Sequence, residues 1–494
     1  MRFIAMATAL TLVLGCRTSR HQEAPHSRLP NITVGTAAYL SAPAIAETAS
    51  NRSIEDLVFL GLSNSPQLAE ARHRIRSLEH RIPQQTALPD PVLNSTSHLL
   101  PVETAAGQQV FGLGVSQKYI RNENRQTRAA IAQDEVHSAR AELAKLEREI
   151  AEKIRVASIQ LLEVRAIIKV TQSDFDALRQ IEEVALRRYE LAANVSQQQI
   201  LNIQIEQSNI ENQLAGLQQR EKSYQARIAR LVHLPVGTNF IFSDELEDVL
   251  QTSKVEQLIA QALAARPELQ AQLARIRRDR RKILLAQLQN KPDFTVGLNW
   301  IATSDSGLSP VANGDDALML GVGFNLPIYK DRICAAVGEA TSTSLASSFA
   351  LESLRDQIAE EVFDSIAQLE SSRDMLSLLQ EDIVPKSARA LELSIEAYSN
   401  GNEEYSQVLS NWRSLLKYRL TEVRLISTRM QQLATLTRQV GQLELLQSPA
   451  DFNEQDKVLS VAKDLSLARD PVVTAAPASA ADLERRDATT QSSP

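Results

Sequence analysis

Two short stretches, FTVGLNW at residues 294–300 and ALMLGVGFNL at residues 317–326, decide the fold of this 494-residue chain. In both, an apolar side chain stands at every second position, and most residues between them are glycine, threonine or asparagine. Residues 111–115, FGLGV, repeat the pattern. Such alternation is typical of a transmembrane β-barrel strand, with one face toward lipid and the other toward a lumen. A soluble sheet with one buried face alternates in the same way, so the surrounding sequence has to decide between them.

That surrounding sequence predicts very long helices, over residues 124–192 and 332–398. Apolar side chains recur there at steps of three and four, a period that indicates coiled-coil packing when it is sustained. At 1.5 Å per residue the first helix would reach roughly 100 Å, a length that no compact globule needs. We therefore predict a mainly α fold with a transmembrane β part of four strands per chain. The positions that set the helical period are Leu143, Leu146, Ile150, Ile154, Ala157, Leu161, Val164 and Ile168.

The chain also repeats itself once. Several landmarks of residues 53–250 return in the same order in residues 251–446, at offsets of about 201 to 209 positions, which predicts an internal duplication. Each repeat should contain a helix (Ile54–Ala87 in the first), two strands, the very long helix, a break and a last helix. The polar segments 101–107 and 304–316 are the expected turns between strands. The paired landmarks are Pro66 with Pro267, LPDP at 88–91 with KPDF at 291–294, GLGV at 112–115 with GVGF at 321–324, and Tyr189 with Tyr398.

The first residues resemble a bacterial lipoprotein signal. Residues 1–15 hold a short basic start and an apolar run too short to span a bilayer, and VLGC at 13–16 resembles a lipobox whose Cys16 would be acylated. An ordinary secretory signal with a chance cysteine is the alternative. Arg17 favours the outer membrane over retention in the inner membrane. Residues 16–52 are predicted to be a lipid-anchored tether, and residues 447–494 a disordered tail.

The number of strands requires more than one copy of the chain. About four strands cannot close a barrel, and closed membrane barrels begin at about eight strands. An open sheet edge cannot exist in lipid, because its backbone groups would lack hydrogen-bond partners. The sequence therefore predicts an oligomer whose copies share one barrel.

Other functions find little support in the sequence. The net charge is −7 and no basic stripe with interleaved aromatics occurs, so nucleic-acid binding is not expected. No phosphate-binding loop, HExxH or GxSxG motif is present, and the two glycine pairs at 112–114 and 321–323 lack the third glycine of a dinucleotide loop. His73 and His80 lie seven positions apart on one helix, too far for one metal ion. We therefore predict neither an enzyme nor a bound cofactor or metal.

These features occur in the same order in both repeats, and over about residues 53–446 the chain resembles the TolC-type outer-membrane efflux family. The resemblance rests on the helix starts at Pro66 and Pro267, ALPDP at 87–91, the Gly-x-Gly strands that lead to Gln117 and to LPI at 326–328, and the breaks at Tyr189 and Tyr398. ALPDP is similar to the CzcC-like heavy-metal branch. The family implies a homotrimer with a 12-strand barrel and a periplasmic helical tunnel. It also implies two partners, a periplasmic adaptor and an inner-membrane pump.

By the same resemblance, the tunnel tips lie at about residues 191–196 and 399–405 and carry the adaptor contacts and the gate. Three copies of Glu403 and Glu404 would form a carboxylate ring, which favours cations; alternatively, both are solvated first-turn residues that complement the helix dipole. Gly401 suits a left-handed turn residue, whereas Ala192 stands at the matching position of the first tip. The predicted tip and docking residues are Tyr189, Leu191, Val195, Tyr398, Gly401, Glu403, Glu404 and Tyr405.

The predicted function is an outer-membrane channel that passively conducts metal ions or small toxic molecules, and secretion of proteins stays open. A lipid-anchored periplasmic adaptor is one alternative, but it should show one helical hairpin between β-rich domains instead of a duplicated unit. A lipid-anchored coiled-coil protein without a pore is the other, and it would not need alternating strands of about ten residues.

Overall fold

The computed structural model describes residues 50–190, 196–242, 254–305 and 314–441. The predicted signal, Cys16, most of the tether, the C-terminal tail, and Leu191 and Val195 lie outside these residues. Within them, the chain is mainly helical and carries a four-stranded sheet. No helix among the described residues is long and apolar enough to cross a membrane.

The two halves of the described chain share the order helix, helix, strand, strand, long helix, helix, although two additional short strands occur only in the first half and a π-helical turn divides the long helix of the second. The first half consists of β1 (Ser50–Arg52), α1 (Ile54–Asn64), α2 (Pro66–Thr86), β2 (Val92–Thr104), β3 (Gly107–Tyr119), α3 (Asn122–Glu190), α4 (Gln197–Leu231) and β4 (Ile241–Phe242). The second half consists of α5 (Val255–Ala265), α6 (Pro267–Leu288), β5 (Phe294–Thr303), β6 (Ala317–Phe324), α7 (Lys330–Leu378), a π-helical turn (Leu379–Ile383), α8 (Val384–Ser399) and α9 (Tyr405–Val440).

The single helix predicted over residues 54–87 is wrong, because two helices occupy this range. Ser65 ends α1 with extended backbone angles, and its hydroxyl accepts a hydrogen bond from the Leu68 amide at the start of α2. Pro66 follows as the first residue of α2, where the missing amide hydrogen costs nothing. The same break occurs at Arg266 and Pro267 between α5 and α6.

The four long strands form one antiparallel sheet in the order β2-β3-β5-β6, so the pairing of β3 with β5 joins the two halves. The turn predicted over residues 101–107 is shorter than expected. Strand β2 continues to Thr104 and β3 begins at Gly107, which leaves only two residues in the turn. Separately, β1 and β4 form a short parallel pair, which is too short to show a strand pattern in the sequence.

Helix α3 is the central element of the helical part, with 69 residues and packing against α2, α4, α6 and α9. One core cluster surrounds its middle and includes Ile154, Leu161 and Phe240. A second cluster lies near its C-terminal end, where the ends of both helical hairpins meet. The hairpins are therefore held side by side by buried apolar contacts along most of their length.

The second long helix differs from α3 because a π-helical turn separates α7 from α8. In this turn the Val384 amide donates to the Leu379 carbonyl, five residues earlier. Pro385 follows directly, and it has no amide hydrogen for a carbonyl of the preceding turn. A wider turn accommodates the proline without ending the helix.

Candidate functional site

The sheet exposes an apolar face. Leu318, Leu320, Val322 and Phe324 of β6 are all more than half exposed, with Leu320 at 73%. In the register of the sheet, Tyr119 pairs with Phe294, and Phe294 pairs with Phe324, so an aromatic row crosses three strands on this face. A soluble sheet would bury its apolar face against a core, and that alternative is not what the described chain shows.

The opposite face of the sheet is lined mainly by small and uncharged residues. Its central positions are Thr96, Gly112, Gly114, Ser116, Gly297, Asn299, Gly321 and Gly323, and Ile301 and Met319 are apolar exceptions on the same face. The Asn299 amide lies directly over Gly114, where an added Cβ would stand 1.9 Å from Asn299 Oδ1. Only glycine therefore fits at position 114 without moving the asparagine. This face therefore carries mainly small, uncharged side chains, as the wall of a water-filled lumen does.

The second element of the site is the end of the two hairpins. Tyr398 at the end of α8 and Tyr405 at the start of α9 are both buried, and their ring centroids lie 6.3 Å apart. Arg188 of α3 donates from Nη1 to the Tyr398 carbonyl over 2.5 Å. Its guanidinium also lies 4.4 Å from the centre of the Tyr398 ring, a cation–π contact. These contacts attach the tip of the second hairpin to the first.

The turn at the second tip follows the sequence prediction. Gly401 has a φ of +82°, the left-handed conformation that favours glycine. The Asn402 amide donates to the Ala397 carbonyl over 2.9 Å, so the last carbonyls of α8 are satisfied. Glu404 occupies the N-cap position of α9 and is exposed, and Glu403 beside it is half-buried.

Burial controls the ionisation of the two tyrosines. It raises the pKa of Tyr405 to about 12, and the nearby Glu206 carboxylate, which is ion-paired with Arg413, acts in the same direction. Burial also raises the pKa of Tyr398, against an opposing effect from Arg188. Both phenols are therefore neutral at physiological pH. Tyr405 Oη and Trp412 Nε1 are buried and have no hydrogen-bond partner within the described ranges.

A buried charge joins the hairpins farther from the tip. Asp174 of α3 is 1% exposed at its side chain, and its Oδ1 accepts a hydrogen bond from Arg419 of α9 over 3.2 Å. Burial raises the pKa of Asp174, and the Arg419 cation opposes this effect. The pair connects the first hairpin to the second through a buried carboxylate and a partly exposed arginine.

The structure brings five of the predicted site residues together at one tip, namely Tyr398, Gly401, Glu403, Glu404 and Tyr405. Tyr189 lies on the neighbouring hairpin end but is 47% exposed, unlike Tyr398. Sequence reasoning missed Arg188 and Trp412. Arg188 looks like an ordinary basic residue of a last helical turn, and Trp412 like one more apolar helix position, so nothing local marks either. Across the described part of the chain, no group of three potential metal ligands occurs.

Comparisons with known proteins agree with this geometry. The sequence model of a family described as outer membrane efflux protein matches residues 258–442. The outer membrane protein VceC from Vibrio cholerae is similar in structure, with 18% identity and a TM-score of 0.65 over 79% of this chain and 96% of that one. Among curated protein sequences, none matches significantly.

Two further structures show the same fold. CusC has 16% identity and a TM-score of 0.66 over 79% of this chain and 92% of its own. The open state of the MtrE outer membrane channel from Neisseria gonorrhoeae has 14% identity and a TM-score of 0.62, over 79% and 89%. The chain therefore has the fold of the outer-membrane channel proteins. Together with the family match, this confirms the predicted resemblance to the TolC-type outer-membrane efflux family.

Proposed function

We propose that this chain is the outer-membrane channel of a tripartite efflux system. It would passively conduct metal ions or small toxic molecules from an inner-membrane pump and a periplasmic adaptor to the outside. The observation that carries the proposal is the sheet, whose apolar face is exposed while its opposite face is small and polar. Such a sheet is stable only where lipid covers the first face and water the second.

The proposed assembly is a homotrimer. Strands β2 and β6 are the edges of the sheet, and the described chain pairs neither with a further strand. Because lipid cannot satisfy an open edge, β2 of one copy would pair with β6 of the next. Three copies of the four-stranded sheet supply 12 strands, which is within the range of closed membrane barrels.

The helices would extend the pore into the periplasm. The 69 residues of α3 correspond to roughly 100 Å of helix. The tips would dock the adaptor through Tyr189, Leu191 and Val195 of the first hairpin, and through the turn around Gly401 of the second, which the buried Tyr398 and Tyr405 would support from beneath. Glu404 is exposed at the end of its hairpin, so three copies of Glu404, with Glu403, would line the mouth with carboxylates.

The remaining features of the proposal concern attachment and chemistry. Acylation of Cys16 would tether each copy to the outer membrane, and more than one acyl chain is needed for stable anchoring. The channel itself would catalyse no reaction and would supply only the path. The choice of substrate would then rest mainly with the pump.

Conductance of the full chain tests the proposal. Protein purified from outer membranes should crosslink as a trimer and should form discrete, long-lived channels in planar bilayers. A monomer that shows no conductance and no heat-modifiable barrel would contradict the proposal. It would favour an anchored coiled-coil scaffold instead.

The carboxylate ring has a separate test in the same bilayers. Replacement of Glu403 and Glu404 by glutamine should lower the preference for cations over anions, because a ring of negative charge at a narrow mouth concentrates cations. Exposed Glu392 on the same hairpin, which pairs with Arg389, supplies a matched control as Glu392→Gln. If the reversal potential does not move, the two glutamates are solvated helix-end residues.

A further inference from the structure

The apolar stripe of β6 continues beyond the strand. Pairing with β5 ends at Phe324, yet Leu326 and Ile328 keep the same period of two and are each 67% exposed. The backbone here forms two hydrogen bonds of the γ-turn type, from Ile328 N to the Leu326 carbonyl over 2.9 Å and from Lys330 N to the Ile328 carbonyl over 3.0 Å. Tyr329 between them has φ −81° and ψ 77°, close to the angles of an inverse γ-turn.

The length of this stripe fits a membrane better than β6 alone does. The eight residues of β6 rise about 20 Å along the membrane normal when the strand tilts by about 40°. From residue 318 to residue 328 the chain covers roughly 32 Å, or about 25 Å along the normal at the same tilt. Outer-membrane barrels have an apolar band about 25 Å tall. The stripe therefore ends near Ile328, at the edge of the band where the helices begin.

Charge follows immediately after the stripe. Lys330 and Arg332 open α7, and both are exposed. Their hydrogen-bond partners are the amide oxygens of Asn290 and Gln289, and neither cation has an ion pair within the described residues, although Asp331 lies between them in sequence. The other junctions between strands and helices have a different arrangement of charged residues.

At the other junctions, two of the cations are ion-paired. Lys291 forms an ion pair with Glu123, and Lys118 lies 3.7 Å from Asp293. The exit from β6 thus places two exposed apolar residues, a tyrosine and two cations without an ion pair among the described residues within seven positions. Tyrosine is enriched at the membrane–water interface, and lysine and arginine close to a membrane attract anionic lipids.

We propose that residues 326–332 form a membrane-interface anchor in each copy. Leu326, Ile328 and Tyr329 lie at the boundary between acyl chains and headgroups. Lys330 and Arg332 bind the phosphate groups of anionic glycerophospholipids in the periplasmic leaflet. This proposal rests on the proposed function, because it requires the sheet to lie in the outer membrane.

Nitroxide labels in the reconstituted full-length trimer test the apolar part. Ile328→Cys is introduced into a Cys334→Ser background, and the background protein gives the signal to subtract. The label at position 328 should be relaxed strongly by oxygen, which concentrates in lipid, and weakly by a water-soluble nickel chelate. A label on the native Cys334, which is exposed one helical turn farther on, should show the reverse.

Two outcomes overturn this part of the proposal. Relaxation by nickel would place residue 328 in water, and protection from both reagents would place it against a second copy of the chain. A label at position 320, in the middle of the stripe, separates the two proposals. If position 320 also lies outside lipid, the proposed channel function fails; if position 320 is in lipid and position 328 is not, only the anchor fails.

The charged part is tested with vesicles of phosphatidylcholine, with or without phosphatidylglycerol. Wild-type protein should insert faster when phosphatidylglycerol is present, and Lys330→Gln with Arg332→Gln should reduce this gain roughly thirtyfold, as expected for two interfacial cations. The control, Lys222→Gln with Arg280→Gln, removes equal charge from exposed helix positions farther from the strands. A double variant at 330 and 332 that keeps the full gain would show that these cations do not contact lipid phosphate.

Discussion

At the scale of single residues, Arg188 connects the end of the first hairpin to the end of the second. It combines a hydrogen bond to the Tyr398 carbonyl with a cation–π contact to the same residue. We expect Arg188→Ala to speed amide hydrogen exchange in residues 398–405 about tenfold, because contacts of this kind contribute roughly 1 to 2 kcal/mol. The measurement is hydrogen exchange followed by mass spectrometry on the assembled protein.

Arg187 provides the matched control for this change. It pairs with Glu183 on the same helix, and both side chains are more than 60% exposed, so Arg187→Ala should leave exchange at the tip unchanged. Equal exchange in both variants would mean that the buried apolar cluster alone holds the hairpins together.

The burial of Asp174 leads to a prediction about how stability depends on pH. Because burial raises the pKa of Asp174, the folded state favours the protonated form. The resulting stabilisation is fully present below the ordinary aspartate pKa of about 3.9, and it is lost as the pH rises through the higher folded pKa. At pH 7 the ionised group therefore costs stability. Asp174→Asn should keep or raise the melting temperature at pH 7, by the equivalent of roughly 1 kcal/mol.

The advantage of Asp174→Asn should shrink as the pH falls toward 4. Arg419 is 37% exposed and would stay hydrated, so the change would not leave a buried charge without a partner. Asp176, which is exposed on the same helix, gives the control as Asp176→Asn. A clear loss of stability at pH 7 for Asp174→Asn alone would show that attraction to Arg419 exceeds the cost of burial.

At the scale of elements, the π-helical turn accounts for a difference between the repeats. Tyr189 and Tyr398 stand at matching positions of the two repeats, but Tyr189 is 47% exposed and Tyr398 only 2%. A turn with hydrogen bonds five residues apart advances less per residue than an α-helix does. Residues after it therefore face a different side, and Tyr398 turns into the core while α3, which has no such turn, leaves Tyr189 outside.

Packing should hold this turn even without the proline. Burying Leu391 and Tyr398 stabilises by about 2 kcal/mol each, more than the roughly 1 kcal/mol of one additional helical hydrogen bond. We therefore expect Pro385→Ala to leave Tyr398 buried. In hydroxyl-radical footprinting, Tyr398 should be oxidised much more slowly than Tyr189 in both proteins. Rapid oxidation of Tyr398 in the variant would show that Pro385 itself maintains the turn.

The elements also show where sequence reasoning reached its limit. Alternation at residues 294–300 and 317–324 predicted β5 and β6, because a period of two is a local property of the backbone. The helix predicted from Ile54 to Ala87, by contrast, runs through Ser65, although the family resemblance marks a helix start at Pro66. Contacts such as that of Arg188 with Tyr398 join residues 210 positions apart, and no local pattern specifies such a pair.

At the scale of the whole molecule, the long helices and the four strands followed from counting periods and lengths. The trimer, the docking of an adaptor and the anchor at Cys16 stay predictions, since one chain carries only part of each interface. The exposed face of β6 and the free edges of the sheet show where that chain is incomplete. The proposed oligomer would complete both features at once.

The pairing of β3 with β5 also bears on the order of folding. Gln108 and Ser304, at one end of this pairing, are 196 residues apart in the sequence. Contacts this distant form slowly, because the loop between them must first lose its entropy. The helical hairpins consist of local contacts and should form early, which brings the strands together afterwards. The most aggregation-prone surface of the chain would then be assembled last, close to the membrane that receives it.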